Sequence, residues 1–200
     1  KKLKFEGNFL DYVELVKENP EITKTAHKRL YEAISDHGME KMPDSDPRKK
    51  KIFDNDNVKV YNYFKDHFFG MEKVLAKLMR FLKSAAHNGE ESRQVLLLMG
   101  PVGAGKSALV EHIKTSLEGK KYHHLKGDSQ RGEPLQLVPR SLRDVFEEKL
   151  GVKIQGDISP VARYKLLNDL DGKYEDFDVT ETTFSQRARR GIATVPPMDA

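Results

Sequence analysis

Apolar residues recur at helical spacing near the start of the chain. The segment FLDYVELVKEN carries one apolar stripe, made of Phe9, Tyr12, Val13 and Val16. Asn8 precedes this stripe and is a residue type that caps helix N-termini. A second helix is predicted from Glu21 to His37, with Gly38 as its stop. We expect these two helices to pack as a pair, which assigns residues 1–38 to an N-terminal helical segment.

Further helices and strands are predicted along the rest of the chain. A longer amphipathic helix has apolar residues at i, i+3 and i+4 spacing: Met71, Val74, Leu75, Leu78, Leu82 and Ala85. Two shorter helices are predicted to begin at Ser141 and Ser159 and to end at Gly151 and Gly172. The segment from Ser141 has the form of a capping box, and its predicted buried stripe is Leu142, Val145, Phe146 and Leu150. Residues 122–126 and 177–184 have the composition of short strands.

The most apolar run in the chain leads directly into a glycine-rich loop. Residues 95–99 are Val, Leu, Leu, Leu and Met, as expected for a parallel strand that is covered on both faces. After the loop, a helix is predicted from its apolar spacing: Leu109, Val110, Ile113 and Leu117. The strand, loop and helix in this order favour an α/β fold with a parallel sheet flanked by helices.

The loop itself matches the pattern G-x-x-x-x-G-K-[ST] through Gly100, Gly105, Lys106 and Ser107. Glycines allow positive φ angles and a close approach of backbone N–H groups to phosphate oxygens. The helix that begins near Gly105 adds its unpaired first-turn N–H groups and the positive end of its dipole. Lys106 is the predicted catalytic residue, on the β- and γ-phosphates of ATP, and the Ser107 hydroxyl is the predicted Mg²⁺ ligand. The predicted ATP-binding residues of the loop are Gly100, Pro101, Val102, Gly103, Ala104, Gly105, Lys106, Ser107 and Ala108.

An aromatic segment precedes the long amphipathic helix. It contains Tyr61, Tyr63, Phe64, Phe68 and Phe69. Two interpretations of this segment are open. It forms a wall against which adenine stacks, or it packs in the hydrophobic core.

A polar segment separates the N-terminal helices from the aromatic segment. Residues 42–57 contain two prolines, four aspartates and the basic run Arg48–Lys51, which together indicate a surface loop or linker. Residues 39–57 are therefore assigned to a charged linker, and residues 58–200 to the nucleotide-binding core. The basic run is either a solvated surface or a contact for nucleic acid or acidic protein.

Composition changes this interpretation little. The 200 residues are 38% hydrophobic and 33% charged, with a formal net charge of +4. The weak basic excess is explained by a phosphate ligand as well as by nucleic acid, so a nucleic-acid partner is not favoured. No apolar run has the roughly 20 residues of a membrane span. The absence of cysteine excludes disulfides and fits a cytoplasmic protein.

A second Mg²⁺-binding element is expected in a protein with this loop, as an apolar strand that ends in Asp or Asp-Glu. The segments KIQGD and EDFDV, at residues 153–157 and 175–179, lack the apolar run. We therefore interpret the sequence as an incomplete fragment that ends before this motif. A metal site at His123, His124 and Asp128 is disfavoured because adjacent strand residues point to opposite faces. The basic cluster Arg187, Arg189 and Arg190 is either a solvated turn, a contact to a nucleotide in a neighbouring subunit or a contact for an acidic partner.

Several blocks together resemble one family. The blocks occur in order and cover nearly the whole chain: NFLDYVELVKENPEITKTAHKRLYEAI, YFKDHFFGMEKVLAKLMRFLKSAA, LLLMGPVGAGKSALV, GEPLQLVP, GDISPVARYKL and RRGIATVPPMD. They are similar to the N-terminal AAA+ region of PrkA-type bacterial serine protein kinases. The resemblance implies ATP at Gly100–Ser107 and a nucleotide-base environment near Phe68, Phe69 and Gly70. It also implies a C-terminal kinase region that this sequence does not contain.

The function predicted from the sequence is an ATP-binding AAA+ module of a PrkA-like serine protein kinase, with ATP and Mg²⁺ as cofactors. Its expected partners are unidentified protein substrates and, as in AAA+ rings, further copies of the same chain. One alternative is the ATPase part of an ATP-dependent protease or unfoldase. Another is a nucleotide-switched nucleic-acid-binding or scaffold module.

Overall fold

A computed structural model describes residues 4–54 and 57–184. Its seven described helices are α1 (Phe9–Glu18), α2 (Ala26–Ser35), α3 (Pro47–Phe53), α4 (Glu72–Ala86), α5 (Lys106–Thr115), α6 (Arg143–Leu150) and α7 (Pro160–Asn168). Its five described strands are β1 (Glu6–Asn8), β2 (Met39–Lys41), β3 (Lys59–Tyr61), β4 (Lys121–Leu125) and β5 (Asp178–Thr183). Among these helices, none combines the length and the apolar character that crossing a membrane requires.

The described residues form two compact units. Residues 4–24 and 119–184 make up the first, which we call the sheet unit, and residues 25–54 and 57–118 make up the second, which we call the loop unit. The grouping differs from the boundaries expected at residues 38 and 57. Helices α1 and α2, which were expected to pack as a pair, are in different units. The assignment of residues 58–200 to one nucleotide-binding core stays a prediction.

The sheet unit is built on a three-stranded antiparallel sheet in the order β1-β5-β4. Glu6 pairs with Thr180 on one edge of β5, and Lys121 pairs with Thr183 on the other. The core is packed from α1, β4, β5 and the segments after β4. Its fully buried side chains include Phe9, Tyr12, Val16, Leu125, Leu135 and Phe177.

Two helix starts in the sheet unit, those of α1 and α7, follow the predicted caps. At α1, the Asn8 side chain accepts from the Asp11 amide and the Asp11 carboxylate accepts from the Asn8 amide, both at 2.9 Å. At α7, the Ser159 hydroxyl accepts from the Ala162 amide, and Pro160 occupies the first helical position. Each cap satisfies amides that have no acceptor inside the helix.

The loop unit is mainly helical. Helices α2 and α4 pack together around a core that includes Ile34, Phe64, Leu75, Leu78, Met79 and Leu109. Strands β2 and β3 form a separate antiparallel pair in which Glu40 lies opposite Val60.

The expected parallel sheet is not found: every strand pair of the described residues is antiparallel. Residues 95–99, expected to be a buried strand, form no strand, and Val95, Leu97 and Met99 are strongly exposed. A strand needs a neighbour to bond its backbone N–H and C=O groups, and no described segment lies beside this one as a strand. Hydrophobicity alone therefore does not make residues 95–99 a strand.

The predicted charged linker also contains ordered structure. Asp46 accepts from the Arg48 amide and Pro47 follows it, and this cap starts helix α3 in the middle of the segment. Arg48 donates to Asp46 and to Glu72, both at 2.7 Å, and Lys49 is buried against Asp44. Hydrogen bonds from Arg48 hold the pKa of Asp46 below its ordinary value.

Three helices differ in their bounds from the sequence prediction. Helix α7 ends at Asn168, before the predicted stop at Gly172. The predicted helix from Glu21 to His37 is divided, because Pro20–Thr23 forms a 3₁₀ turn and Thr25 caps a new start at α2. Helix α6 begins at Arg143 without a side-chain cap, so the capping box expected at Ser141 is absent. Gly151 ends α6 with positive φ, as expected, but Leu142 and Val145 are exposed.

Candidate nucleotide-binding site

The loop between residues 100 and 106 closes as a tight turn. The Ala104 amide donates to the Pro101 carbonyl at 3.3 Å. Gly103 and Gly105 have φ angles of +80° and +76°, which side-chain-bearing residues adopt at a conformational cost. Helix α5 begins at the next residue, Lys106. The sequence pattern thus produces the turn and the helix start that a phosphate-binding loop requires.

The two glycines also keep one side of the turn open. A Cβ atom added at Gly103 or Gly105 would meet no atom within 4 Å. Neither position is a packing site, so the need for glycine there is conformational and leaves open space beside the backbone. Phosphate oxygens need this kind of close access to backbone amides.

The Lys106 side chain folds back across the turn. Its Nζ atom donates to the Gly100 and Pro101 carbonyl oxygens, both at 2.7 Å. The ammonium group is therefore held at the mouth of the loop by neutral acceptors. An anionic phosphate oxygen is a stronger acceptor for a charged donor than a carbonyl oxygen.

Unbonded amides and a hydroxyl lie beside this lysine. The amides of Lys106, Ser107 and Ala108 belong to the first turn of α5, where intrahelical acceptors do not exist. The first intrahelical bond runs from the Leu109 amide to the Gly105 carbonyl at 2.8 Å. Ser107 is exposed, so its hydroxyl is accessible to a ligand.

Helix α5 is anchored to the aromatic segment. The Tyr63 hydroxyl donates to the His112 carbonyl at 2.6 Å, and the His112 ring nitrogen Nε2 lies 3.0 Å from the Tyr63 carbonyl. On the same helix, Leu109 is buried against α4 in the loop-unit core. Sequence reasoning did not single out His112, although it lies three residues after Leu109 on the helix that follows the loop. These contacts fix the position of the helix whose N-terminus forms the site.

The structure separates the two interpretations of the aromatic segment. Phe64 and Phe68 are buried in the core, so core packing accounts for them. Phe69 is 71% exposed and lines a cavity of about 390 Å³ with Met42, Val60 and a set of charged side chains. No residue of the glycine-rich loop, residues 100–107, lines that cavity. The predicted role of Phe69 and Gly70 in holding the nucleotide base stays a prediction.

Side chains that could bind a metal ion do not cluster in the described part of the chain. It contains no group of three or more His, Cys, Asp or Glu side chains that could hold a metal ion, which includes the surroundings of His123 and His124. The role of Ser107 as a Mg²⁺ ligand stays a prediction. The arginines at 187, 189 and 190 lie outside the described residues.

Comparison with known proteins identifies the family. The chain matches the PrkA AAA domain family over residues 7–200. It belongs to this family. Membership of an AAA family implies nucleotide binding.

Curated relatives carry different functional names. The chain is 37% identical over 205 residues to the ATP-dependent protease PrkA of Bacillus subtilis (strain 168), covering 99% of this chain and 30% of that protein. It is 30% identical over 181 residues to the serine/threonine kinase YeaG of Escherichia coli (strain K12), covering 87% of this chain and 28% of that protein. A Lon protease of Rickettsia conorii is 31% identical over 130 residues, covering 64% of this chain and 16% of that protein.

The chain thus spans about three tenths of the length of the PrkA and YeaG relatives. No solved structure gives a significant match to it.

Proposed function

We propose that this chain binds Mg-ATP through the loop Gly100–Ser107 and forms the ATP-binding AAA+ module of a PrkA-like serine protein kinase. The position of the Lys106 ammonium carries the proposal. It lies across a glycine turn at a helix N-terminus, held by two carbonyl oxygens that phosphate oxygens can replace. Membership of the PrkA AAA domain family supports the same assignment.

Each loop residue has a separate role in this proposal. The amides of Gly103 and of residues 105–108 donate to phosphate oxygens, and the α5 dipole favours the same negative charge. Lys106 offsets the charge that develops on the phosphoryl oxygens as the bond to the leaving ADP breaks. The Ser107 hydroxyl holds Mg²⁺. Bound Mg-ATP supplies the γ-phosphoryl group that passes to water or to a protein hydroxyl.

Replacement of the loop lysine tests the site. Lys106→Ala in the full-length protein should reduce ATP affinity below detection by calorimetry, because the principal cation of the loop is removed. The fold should stay intact, since the Lys106 side chain contacts only the two loop carbonyls among the hydrogen bonds described here. Circular dichroism checks the fold.

Lys83→Ala is a matched control for this experiment. Lys83 is an exposed lysine on α4 of the same unit, and the Lys83→Ala protein should retain wild-type ATP affinity. A folded Lys106→Ala protein with unchanged ATP affinity would contradict the site assignment. For the isolated 200-residue chain we expect weak ATP binding and negligible turnover, because no apolar strand that ends in Asp or Asp-Glu follows Ser107 in this sequence.

A protease or unfoldase is the second candidate for the longer protein. The names of the relatives favour it, since one PrkA relative is called an ATP-dependent protease and a more distant relative is a Lon protease. The two candidates share the nucleotide site and differ in the reaction that ATP drives. Incubation of the full-length protein with casein and labelled ATP separates them, because a kinase transfers label to the protein and a protease shortens it.

The nucleotide-switched nucleic-acid-binding module is less well supported. In the basic run that suggested it, Arg48 and Lys49 form ion pairs with carboxylates of the same unit. Two of its four cations are therefore already neutralised.

A further inference from the structure

The loop unit contains a second cavity, distinct from the candidate nucleotide site. Its volume is about 520 Å³, within the range of ligand-binding clefts. Strand β3 contributes Lys59 and Tyr61 to its lining, and helix α4 contributes Lys73, Ala76, Lys77 and Arg80. We call this cavity the basic groove. No carboxylate lines it in the described part of the chain.

Local periodicity explains why the cations lie together. Lys59 and Tyr61 are two residues apart on β3 and share a face, whereas Val60 packs against the small core of Met42 and Phe53. On α4, Lys73, Lys77 and Arg80 are at i, i+4 and i+7 and share a helix face. The neighbouring face of α4 carries the buried residues Leu75, Leu78, Met79 and Leu82.

Three of the four cations of the basic groove, Lys59, Lys77 and Arg80, are not balanced locally. Within residues 4–54 and 57–184, no ion pair involves Lys59, Lys77 or Arg80, whereas Arg48 in the same unit contacts two carboxylates. Lys73 and Lys77 are one helical turn apart, as are Lys77 and Arg80, and like charges at these spacings destabilise a helix. An anionic ligand in the groove would relieve this repulsion.

Tyr61 adds a hydrogen-bonding group to the groove. Burial raises the pKa of its hydroxyl, and the nearby Arg80 acts in the opposite direction. The hydroxyl is therefore neutral at physiological pH and able to donate to an anion.

We propose that the basic groove binds an acidic segment of a protein, with Lys59, Lys73, Lys77 and Arg80 contacting carboxylates and Tyr61 donating a hydrogen bond. Lys73 and Lys77 are about 6 Å apart along the helix axis. Side chains on one face of an extended peptide are separated by about 6.7 Å. Acidic residues at every second position of an extended segment therefore match the spacing of the cations.

The same dimensions disfavour single-stranded nucleic acid. The cations on α4 extend over about 10 Å of helix axis, which accommodates only two or three phosphates. Tyr61 is the one aromatic side chain in the lining, and it is half-buried, so a series of stacking platforms for bases is lacking. Three of the four cations are lysines, which act as point charges and do not give the planar, bidentate recognition typical of arginine.

Fluorescence anisotropy of the full-length protein tests this proposal. The probe is a short labelled peptide with glutamate at every second position and serine between, and the same peptide with glutamine is its uncharged counterpart. We expect binding of the glutamate peptide alone, with affinity that falls as salt rises. Lys77→Gln/Arg80→Gln should weaken binding by about tenfold or more, since two of the contacting charges are lost.

The matched control variant removes the same number of positive charges from a different helix of the loop unit. Lys50→Gln/Lys51→Gln removes two exposed cations of α3 in the same unit, neither of which lines the groove. It should change peptide affinity by less than about twofold. ATP affinity should be unaffected in both double variants, so this test and the Lys106→Ala test can fail independently.

Four outcomes would overturn the proposal. These are no binding of the glutamate peptide, equal binding of the glutamine peptide, equal weakening by both double variants, or tighter groove-dependent binding of a single-stranded oligonucleotide or of tripolyphosphate than of the peptide. The last outcome would assign the groove to nucleic acid or to a small polyanion.

Discussion

The sheet unit and the loop unit use apolar sequence in different ways. In the sheet unit, β4 and β5 are modest in hydrophobicity, with polar residues at many positions, yet both pair in a sheet. Strand β4 buries His123 and Leu125, and β5 buries Val179. In the loop unit, residues 95–99 are wholly apolar, yet they form no strand and are largely exposed. The difference shows that a strand forms where backbone partners are present and not simply where hydrophobicity is highest.

The exposed segment is directly followed by the candidate nucleotide site. An exposed apolar run of this kind commonly marks a surface that another segment or protein covers. The loop itself does not depend on that cover, because its turn, its glycine conformations and the Lys106 contacts are local to residues 100–106.

The largest expected effect is on stability, and it comes from replacing one leucine in each unit. Leu125 is fully buried in β4 and Leu97 is 73% exposed. Leu125→Ala should destabilise the protein by about 2–5 kcal/mol, through lost burial and a residual cavity. Leu97→Ala should change stability by no more than about 0.5 kcal/mol. Urea unfolding followed by circular dichroism measures both variants, and comparable losses would show that residues 95–99 are packed.

An intermediate effect on stability and ATP binding is expected when two glycines with positive φ are replaced. Gly103 lies in the loop and Gly151 ends α6, and an added Cβ meets no atom within 4 Å at either position. Alanine at either position should destabilise its unit by about 1 kcal/mol, because both adopt a left-handed conformation. Only Gly103→Ala should also weaken ATP binding, since its Cβ would enter the space proposed for phosphate. Equal ATP affinity in the two variants would argue against that placement.

The smallest expected effect is the pH dependence of the stability of the sheet unit. Burial lowers the pKa of His124 below its ordinary value of 6.5, although a hydrogen bond with the Leu125 carbonyl acts in the opposite direction. The unfolded chain therefore binds a proton at His124 more readily than the folded chain, and this site makes folding less favourable as pH falls through 6.5. Above that pH the penalty is absent.

Hydrogen exchange at β5 amides, compared at about pH 7.5 and about pH 5.5 after correction for intrinsic rates, measures this effect. His124→Gln should reduce the loss of protection at the lower pH. An unchanged pH dependence in that variant would assign the effect to other groups.

Local signals predicted much of the secondary structure. Asn8 and Ser159 are capping residues whose hydrogen bonds involve neighbours three positions away, and both helix starts were predicted correctly. The signals Asp46-Pro47 and Thr25 are of the same kind, but they lay inside segments already interpreted as a linker and as one long helix. They were therefore missed, although the information was present.

Tertiary contacts decided what these signals could not. The basic run that begins at Arg48 was interpreted either as a solvated surface or as a contact for nucleic acid or acidic protein. Arg48 instead pairs with Glu72 of the same chain, which is distant in sequence. The basic groove was missed for the same reason, since β3 and α4 place Lys59 beside Lys77 and Arg80 only when they pack together. The separation of Phe68 from Phe69, one buried and one exposed, likewise depends on packing against α4 and α5.

The sequence by itself determined the glycine turn at residues 100–106 and the caps at Asn8 and Ser159, because positive φ at glycine, a lysine six residues after Gly100 and first-turn amides are all local to a few adjacent residues. It did not determine the sheet order β1-β5-β4, the exposed state of residues 95–99 or the basic groove. Those features depend on which distant segments supply hydrogen-bond partners and packing surfaces, and only the tertiary structure specifies these.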